Sequence, residues 1–564
     1  MTNADINERL EVRKIMTDTL RSHLRLCLRR LSLAACALGA TLVLPLPQAQ
    51  AATFDLSTAT VEDIQAAMNS GTLTSEKLVQ LYLARIEAYD HQGPKLNTVI
   101  TLNKNALVEA KALDQERRAK GPRSPLHGVV VLAKDVFDTY DMPTTGGFKP
   151  MATSQPTRDS FVIKRLRDAG AIILAKLNQS DWYGVAPSGG STLAGQPISP
   201  YNAMKTTGGS SSGTGVSIAA WLGTVGLGSD TSGSIVIPST LNNLVGFSTT
   251  HGLVSRTGMM WSSPRQESGG PMCRSVYDCA AVLSVIAGYD PADLATEAGL
   301  GKIPAQPYTA FVDPTGLKGA RIGVLREMVR SGPKHVEGIE LFEKAVADVK
   351  AAGATVVDPA LTGLKLTEVL RDAGAAQFER ADAIDKYLSA LPPTAPIRTV
   401  EEMIAKGGDL VKPAIIDAAK LGPLDHNKQL VAAYKQQDMI RAAVVDLMEK
   451  YQLDGVILPY RTLITDDRST TPNRAGGGGN AEGSNALASY TGLPTIIVPG
   501  GFFPSDGMPF GVQFLGKPFA EPTLIKLASG YEAVSKHRKA PGITPALAGE
   551  KFNYTPNVRG SGVQ

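Results

Sequence analysis

The chain has 564 residues, 43% hydrophobic and 20% charged, with a net charge of +4. That length supports a large buried core, either in one big α/β enzyme or in two to four average domains. Residues 1–51 carry seven basic and four acidic residues, which leaves 50 and 49 in the rest of the chain. No basic excess or basic stripe remains there to bind nucleic acid.

At the amino end, Arg21, Arg25, Arg29 and Arg30 precede an apolar run from Leu31 to Leu46, and Ala49-Gln50-Ala51 has the small-x-small form of a cleavage site. This order predicts a secretory signal peptide over residues 1–51 and a periplasmic or secreted protein. A membrane anchor is the alternative, but the run is short for a span and is closed by Pro45 and Pro47. No stable membrane span is therefore expected after cleavage. Arg29-Arg30 leaves Sec and twin-arginine export both open, and Met16 is a second candidate start.

Of the four cysteines, Cys27 and Cys36 would leave with the signal. Cys273 and Cys279 remain, as a pair joined in an oxidising compartment or as two small buried residues. The seven histidines form no His-x-x-x-His and the cysteines no Cys-x-x-Cys. A metal site is not expected.

Beyond the signal, Thr74 opens a helix with Leu78, Leu81, Tyr82 and Ile86 on one face, and residues 161–169 form another that stops at Gly170. Apolar runs at 129–133, 171–176, 320–326, 454–459, 495–500 and 511–516 read as buried strands. Helices alternating with such strands predict a single large α/β domain over 52–540, with a mixed central β-sheet flanked by helices on both faces. Residues 359–450, helical in pattern, form an elaboration that covers the site. Residues 475–484 are a flexible loop or a lid, and 541–564 a loose C-terminal tail.

The chemistry concentrates in GGSSSGTGVSIAAWLGTVGLGSDTSGSIVIPST, Gly208 to Thr240. A linker would not contain the apolar Val216–Gly228 segment. A Walker loop needs Lys where Thr214 stands, and a dinucleotide fingerprint needs Gly where Ile218 stands. A nucleophile remains: Ser234 sits in a Gly-rich turn whose N–H groups from Thr231 through Ser234 can hold an oxyanion. A serine needs a base. Lys134 ends the apolar run 129–133, and burial favours its neutral amine. It can draw a proton from Ser234 through Ser210, although a lysine at a strand end, taken alone, also reads as an ordinary paired lysine.

These residues resemble the amidase signature family. The match runs through LHGVVVLAKD, the Gly/Ser stretch, VGFSTTHGLVSRTG, GGPMCRSVYDCA, TGLPTIIVPGG and MPFGVQFLG, across roughly residues 55 to 535. The resemblance implies a serine–cis-serine–lysine triad of Ser234, Ser210 and Lys134, with a cis peptide before Ser210. It also implies that Ser211 hydrogen-bonds Lys134, that the amides of Thr231, Ser232, Gly233 and Ser234 form the oxyanion hole, and that no metal or cofactor takes part. Two positions depart from the family pattern: Ser232 stands where a second glycine is usual, and Val236 where an arginine is usual. If that arginine normally pairs with Asp230, Asp230 needs other partners, and backbone N–H groups are expected.

The implied function is an exported amidase that hydrolyses a carboxylic amide to an acid and ammonia or an amine through an acyl-serine. The expected partner is a small-molecule or peptide amide, and the expected state a monomer or homodimer. The alternatives are a non-catalytic binding protein on the same fold and an ammonia-donating amidotransferase subunit. Trp182 and Tyr183 are either an aromatic wall of the pocket or core packing.

Overall fold

Long apolar segments without alternation become strands buried on both faces, and here they assemble one twisted sheet. A computed structural model describes residues 51–187, 189–469 and 486–556. Residues 1–50 of the expected signal peptide 1–51, the glycine-rich residues 475–484 and the last residues 557–564 lie outside the described residues. The strands are β1 (Ala52–Asp55), β2 (Val99–Leu102), β3 (Val130–Lys134), β4 (Ile172–Leu177), β5 (Val225–Asp230), β6 (Val245–Ser248) and β7 (Ser268–Cys273). They continue with β8 (Arg321–Val324), β9 (Thr355–Val357), β10 (Gly455–Pro459), β11 (Thr495–Phe502), β12 (Pro509–Leu515) and β13 (Lys551–Tyr554). Eleven of these form one mixed sheet in the order β2-β4-β3-β5-β7-β6-β11-β12-β10-β8-β9. Helices pack on it, and residues Ala52–Asn557 form one compact unit. The mixed α/β architecture is the expected one.

Two pairings in this sheet position the site. β3 runs parallel to β5, with Ala133 opposite Leu227, so Lys134 emerges beside Gly228 and Ser229. β5 runs antiparallel to β7, with Asp230 opposite Ser268, so Gln266 and Glu267 face the turn that follows β5. The ends of β3 and β5 point the same way, and the crevice beyond such carboxyl ends is where open α/β sheets bind ligands. Residues 359–450 form successive helices, among them Ala376–Ser389, Val400–Gly407, Pro413–Ala419 and Lys428–Lys450.

The carboxy-terminal segment differs from the expected loose tail as far as Tyr554. β13 pairs antiparallel with β1, Ala52 opposite Tyr554. Beneath this ribbon the fully buried Arg85 donates to both oxygens of Glu550, at 2.9 and 3.0 Å, and to the carbonyls of Ala220, Thr544 and Pro545. Composition alone marked this stretch as polar and loop-like; a buried guanidinium that must be neutralised ties it down. Cys273 and Cys279 are free and buried, and the Cys279 thiol lies 3.6 Å from the Val245 carbonyl. No helix among the described residues is long and apolar enough to cross a membrane.

Glu550→Ala would strand the Arg85 charge inside the protein. Urea unfolding of residues 52–564 is expected to show a loss of about 3–5 kcal/mol. A loss below about 0.5 kcal/mol, the scale of a surface change, would mean that the clasp does not hold the terminus.

Candidate active site

Lys134 is the last residue of β3 and has no exposed surface. Burial pushes its amine well below the ordinary lysine value, against the opposing pull of Glu267 and Asp230. Its Nζ donates to two hydroxyls, Ser210 Oγ at 2.6 Å and Ser229 Oγ at 2.9 Å, and lies 5.2 Å from the centre of the Trp182 ring. The expected contact from Ser211 is absent. Ser211 Oγ instead donates to the Ser229 carbonyl at 3.3 Å, and Ser229 takes the place beside the amine. The reason is register: β5 carries Ser229 past the end of β3, closer to the lysine than the helix start that holds Ser211.

Ser210 follows a cis peptide bond from Gly209 and precedes the helix Ser212–Ala219. That helix docks tightly on the end of β4. Gly213 N donates to the Asn178 carbonyl at 2.9 Å, and a Cβ on Gly213 would stand 2.2 Å from that oxygen. Ser212 Oγ donates to the Gly189 carbonyl at 2.6 Å. The Ser211 amide reaches the Ser234 carbonyl at 3.3 Å, which joins the two serine-bearing turns. Among the described residues no hydrogen bond joins the Ser234 and Ser210 hydroxyls, although both line one cavity.

Asp230, at the end of β5, organises the turn Thr231–Ser234. Its carboxylate accepts from Gly233 N at 2.6 Å, Ile235 N at 2.9 Å and Ser489 Oγ at 2.6 Å. The backbone donors anticipated in place of an arginine at Val236 are therefore present, and Ser489 adds a third. The arrangement corrects one oxyanion assignment: the Gly233 N–H is turned to Asp230 and not to the cavity. Gly233 adopts φ 103°, whereas Ser232 is not among the non-glycine residues of positive φ. A side chain at 232 thus meets no left-handed backbone, and glycine is needed only at 233.

Thr231 is clamped from the other side. Its Oγ1 donates to Glu267 Oε2 at 2.5 Å, and its carbonyl accepts from Gln266 Nε2 at 3.0 Å. Gln266 Oε1 in turn accepts the Ala375 and Ala376 amides at 2.6 and 3.0 Å, where the helix Ala376–Ser389 begins. Burial pushes the Glu267 carboxyl up. Neither residue stood out in the sequence. Only the β5–β7 register could have pointed to them.

The cavity has a volume of about 720 Å³, and Ser210, Thr231, Ser232, Ser234 and Trp182 line it. The helical segment 359–450 contributes Arg371, Arg380 and Lys412 to the same wall. Trp182 and Tyr183 part company: Trp182 lines the cavity, while the fully buried Tyr183 packs edge-on against Phe148 at 5.8 Å. Among the described residues no three His, Cys, Asp or Glu side chains cluster to hold a metal ion.

Asp230→Ala should orphan the Ile235 amide, at about 1–3 kcal/mol, leave the Gly233 amide only its 3.2 Å bond to Ser489 Oγ, and loosen the turn that carries Ser234. Urea unfolding reads this loss directly. An Asp230→Ala protein as stable as the parent would remove the carboxylate's organising role.

Comparison with known proteins agrees with this geometry. The amidase family model matches residues 77–525. A probable amidase of Arabidopsis thaliana is 34% identical over 508 residues, which cover 87% of this chain and 92% of that one. A glutamyl-tRNA(Gln) amidotransferase subunit of Chloroflexus aggregans is 31% identical over 507 residues, covering 86% and 99%. The solved structure of native peptide amidase from Stenotrophomonas maltophilia superposes with a TM-score of 0.76 at 34% identity, over 86% of this chain and 99% of that one. A family match across most of the chain, on a mixed sheet that brings a buried lysine to a serine-lined cavity, makes this protein a member of the amidase family and a hydrolase of amides.

Proposed function

We propose that the protein is an exported amidase that converts a carboxylic amide to its acid and ammonia or an amine through an acyl-enzyme on Ser234. The observation that carries this reading is the 2.6 Å hydrogen bond from the buried Lys134 amine to Ser210, at the edge of the cavity that Ser234 also lines. Ser234 Oγ attacks the carbonyl carbon. Its proton passes to Ser210 as the Ser210 proton passes to neutral Lys134. The negative oxygen of the tetrahedral intermediate is held by amides of the Thr231–Ser234 turn, those of Thr231, Ser232 and Ser234, because Gly233 donates to Asp230. The proton returns through Ser210 to the leaving nitrogen, and the C–N bond breaks. Water then attacks the acyl-serine, loses its proton to the same relay and releases the acid. A rotation of the Ser234 hydroxyl closes the relay once substrate is bound; such hydrogen bonds often tighten only in the complex.

Export rests on the arginine-led apolar run that ends at Ala51. It also separates this reading from the ammonia-donating alternative, whose substrate lies inside the cell. The product is then an acid released in the periplasm or outside the cell.

The chemistry fixes four outcomes. Ser234→Ala removes the covalent step and should lower turnover by at least about a thousandfold; activity within tenfold of the parent would place the nucleophile elsewhere. Lys134→Ala should do nearly the same damage. The base must be neutral to work, and burial holds the Lys134 pKa below its ordinary value. The rate should therefore rise with pH through that lowered value and level off above it. A profile flat down to about pH 5 would rule out a lysine base. A serine-reactive fluorophosphonate applied to residues 52–564 should modify Ser234 alone and fail on the Lys134→Ala protein. No adduct on folded protein would favour a binding protein on this fold.

A further inference from the structure

The charged groups of the cavity wall can be accounted for one by one. Arg461 pairs with Asp466 at 3.0 Å, and Asp467 with Lys205 at 2.9 Å. The Asp181 carboxylate accepts the amides of Tyr183, Gly184 and Thr192, and the Thr192 hydroxyl. Lys412 Nζ donates to the Asp181 carbonyl. Arg371 is exposed to solvent. Arg380 is the exception. Its guanidinium is half-buried on the helix Ala376–Ser389, lines the cavity, and has no hydrogen-bond or ion-pair partner among the described residues. Glu267 is the acid that acts on it most, but it lies beyond ion-pair distance and its Oε2 is held by Thr231 and Ser262.

A guanidinium keeps its charge at any accessible pH and presents a planar fork of donors. Half-buried without a partner, it is costly to the folded protein. A carboxylate satisfies both the charge and the fork, in a bidentate pair. Lys412 lines the same wall; burial lowers its pKa against the pull of Asp181, and the Arg380 charge adds to that lowering, which an anion beside the two would relieve. A neutral carbonyl would satisfy one donor and leave the charge.

We propose that Arg380, supported by Lys412, forms a carboxylate subsite in the cavity, and that the amide substrate carries a carboxylate on its acyl part, as the monoamide of a short dicarboxylic acid does. The proposal rests on the hydrolase reading above and names its substrate class. The helical segment 359–450, which supplies both cations, thereby sets specificity while the sheet supplies the chemistry.

The test measures the rate at which a fluorophosphonate labels Ser234 in residues 52–564. Succinamate and glutaramate are the anionic competitors; butyramide and valeramide, of the same lengths, are the neutral ones. In the parent protein the anionic monoamides should slow labelling at least fivefold at a concentration where the neutral amides do not. That protection should vanish in Arg380→Gln and return in part in Arg380→Lys, each compared with its own unprotected rate. Equal effects of anionic and neutral amides on the parent protein, or undiminished protection in Arg380→Gln, would overturn the subsite. No labelling of the parent without competitor would count against the hydrolase reading instead. The subsite is then decided by thermal stabilisation with the same monoamides, present in the parent and lost in Arg380→Gln if the subsite exists, and absent or unchanged if it does not.

Discussion

The site depends on one constraint: the amine of Lys134 is enclosed at the end of β3, where no water can solvate a charge. A charged ammonium there needs an anion, and none of the described residues supplies one within ion-pair distance. What it has are two neutral hydroxyls, Ser210 and Ser229. An amine so placed is driven toward its neutral form, and a neutral amine hydrogen-bonded to a serine is a base with a proton channel already attached. The parallel pairing of β3 with β5 places Ser229, and the tight docking of the helix Ser212–Ala219 on Asn178 places Ser210.

Asp230 does for the neighbouring turn what the hydroxyls do for the lysine. Its carboxylate is buried with three donors around it, one an amide of the turn itself and one the amide of Ile235 just after it. The price of this order is one amide, Gly233, withdrawn from the cavity. Gln266 and Glu267 then hold Thr231 from the opposite strand, and Gln266 also caps the start of the helix Ala376–Ser389. The segment that walls the cavity is thus hydrogen-bonded to the turn that carries Ser234. A shift of that helix would be felt at the turn Thr231–Ser234 through a single side chain.

Division of labour follows from these connections. The sheet ends supply lysine, serines and aspartate, and the family match over 77–525 spans them and the helical segment alike. The helices of 359–450 supply Arg380 and Lys412 to the cavity wall.

Much of this was legible in the sequence, for physical reasons. Strands buried on both faces read as unbroken apolar runs, so β3, β4, β8, β10, β11 and β12 could be placed from the residues alone. The glycine–serine stretch showed its chemistry because a phosphate loop would need residues it lacks, and because Lys134 closes an apolar run. The resemblance to the amidase signature family, with Val236 where an arginine is usual, also implied that Asp230 would turn to backbone donors. What the sequence left undecided was contact between segments far apart in the chain. Ser229 in place of Ser211 beside the lysine, Ser489 on Asp230, the Gln266–Glu267 clamp and the Arg85–Glu550 clasp join residues up to 465 positions apart. Such contacts follow from strand register and helix docking, which the whole core sets together. A local pattern carries the identity of a base and a nucleophile, but only the assembled sheet determines which hydroxyl lies 2.9 Å from the amine and which guanidinium is left facing the cavity.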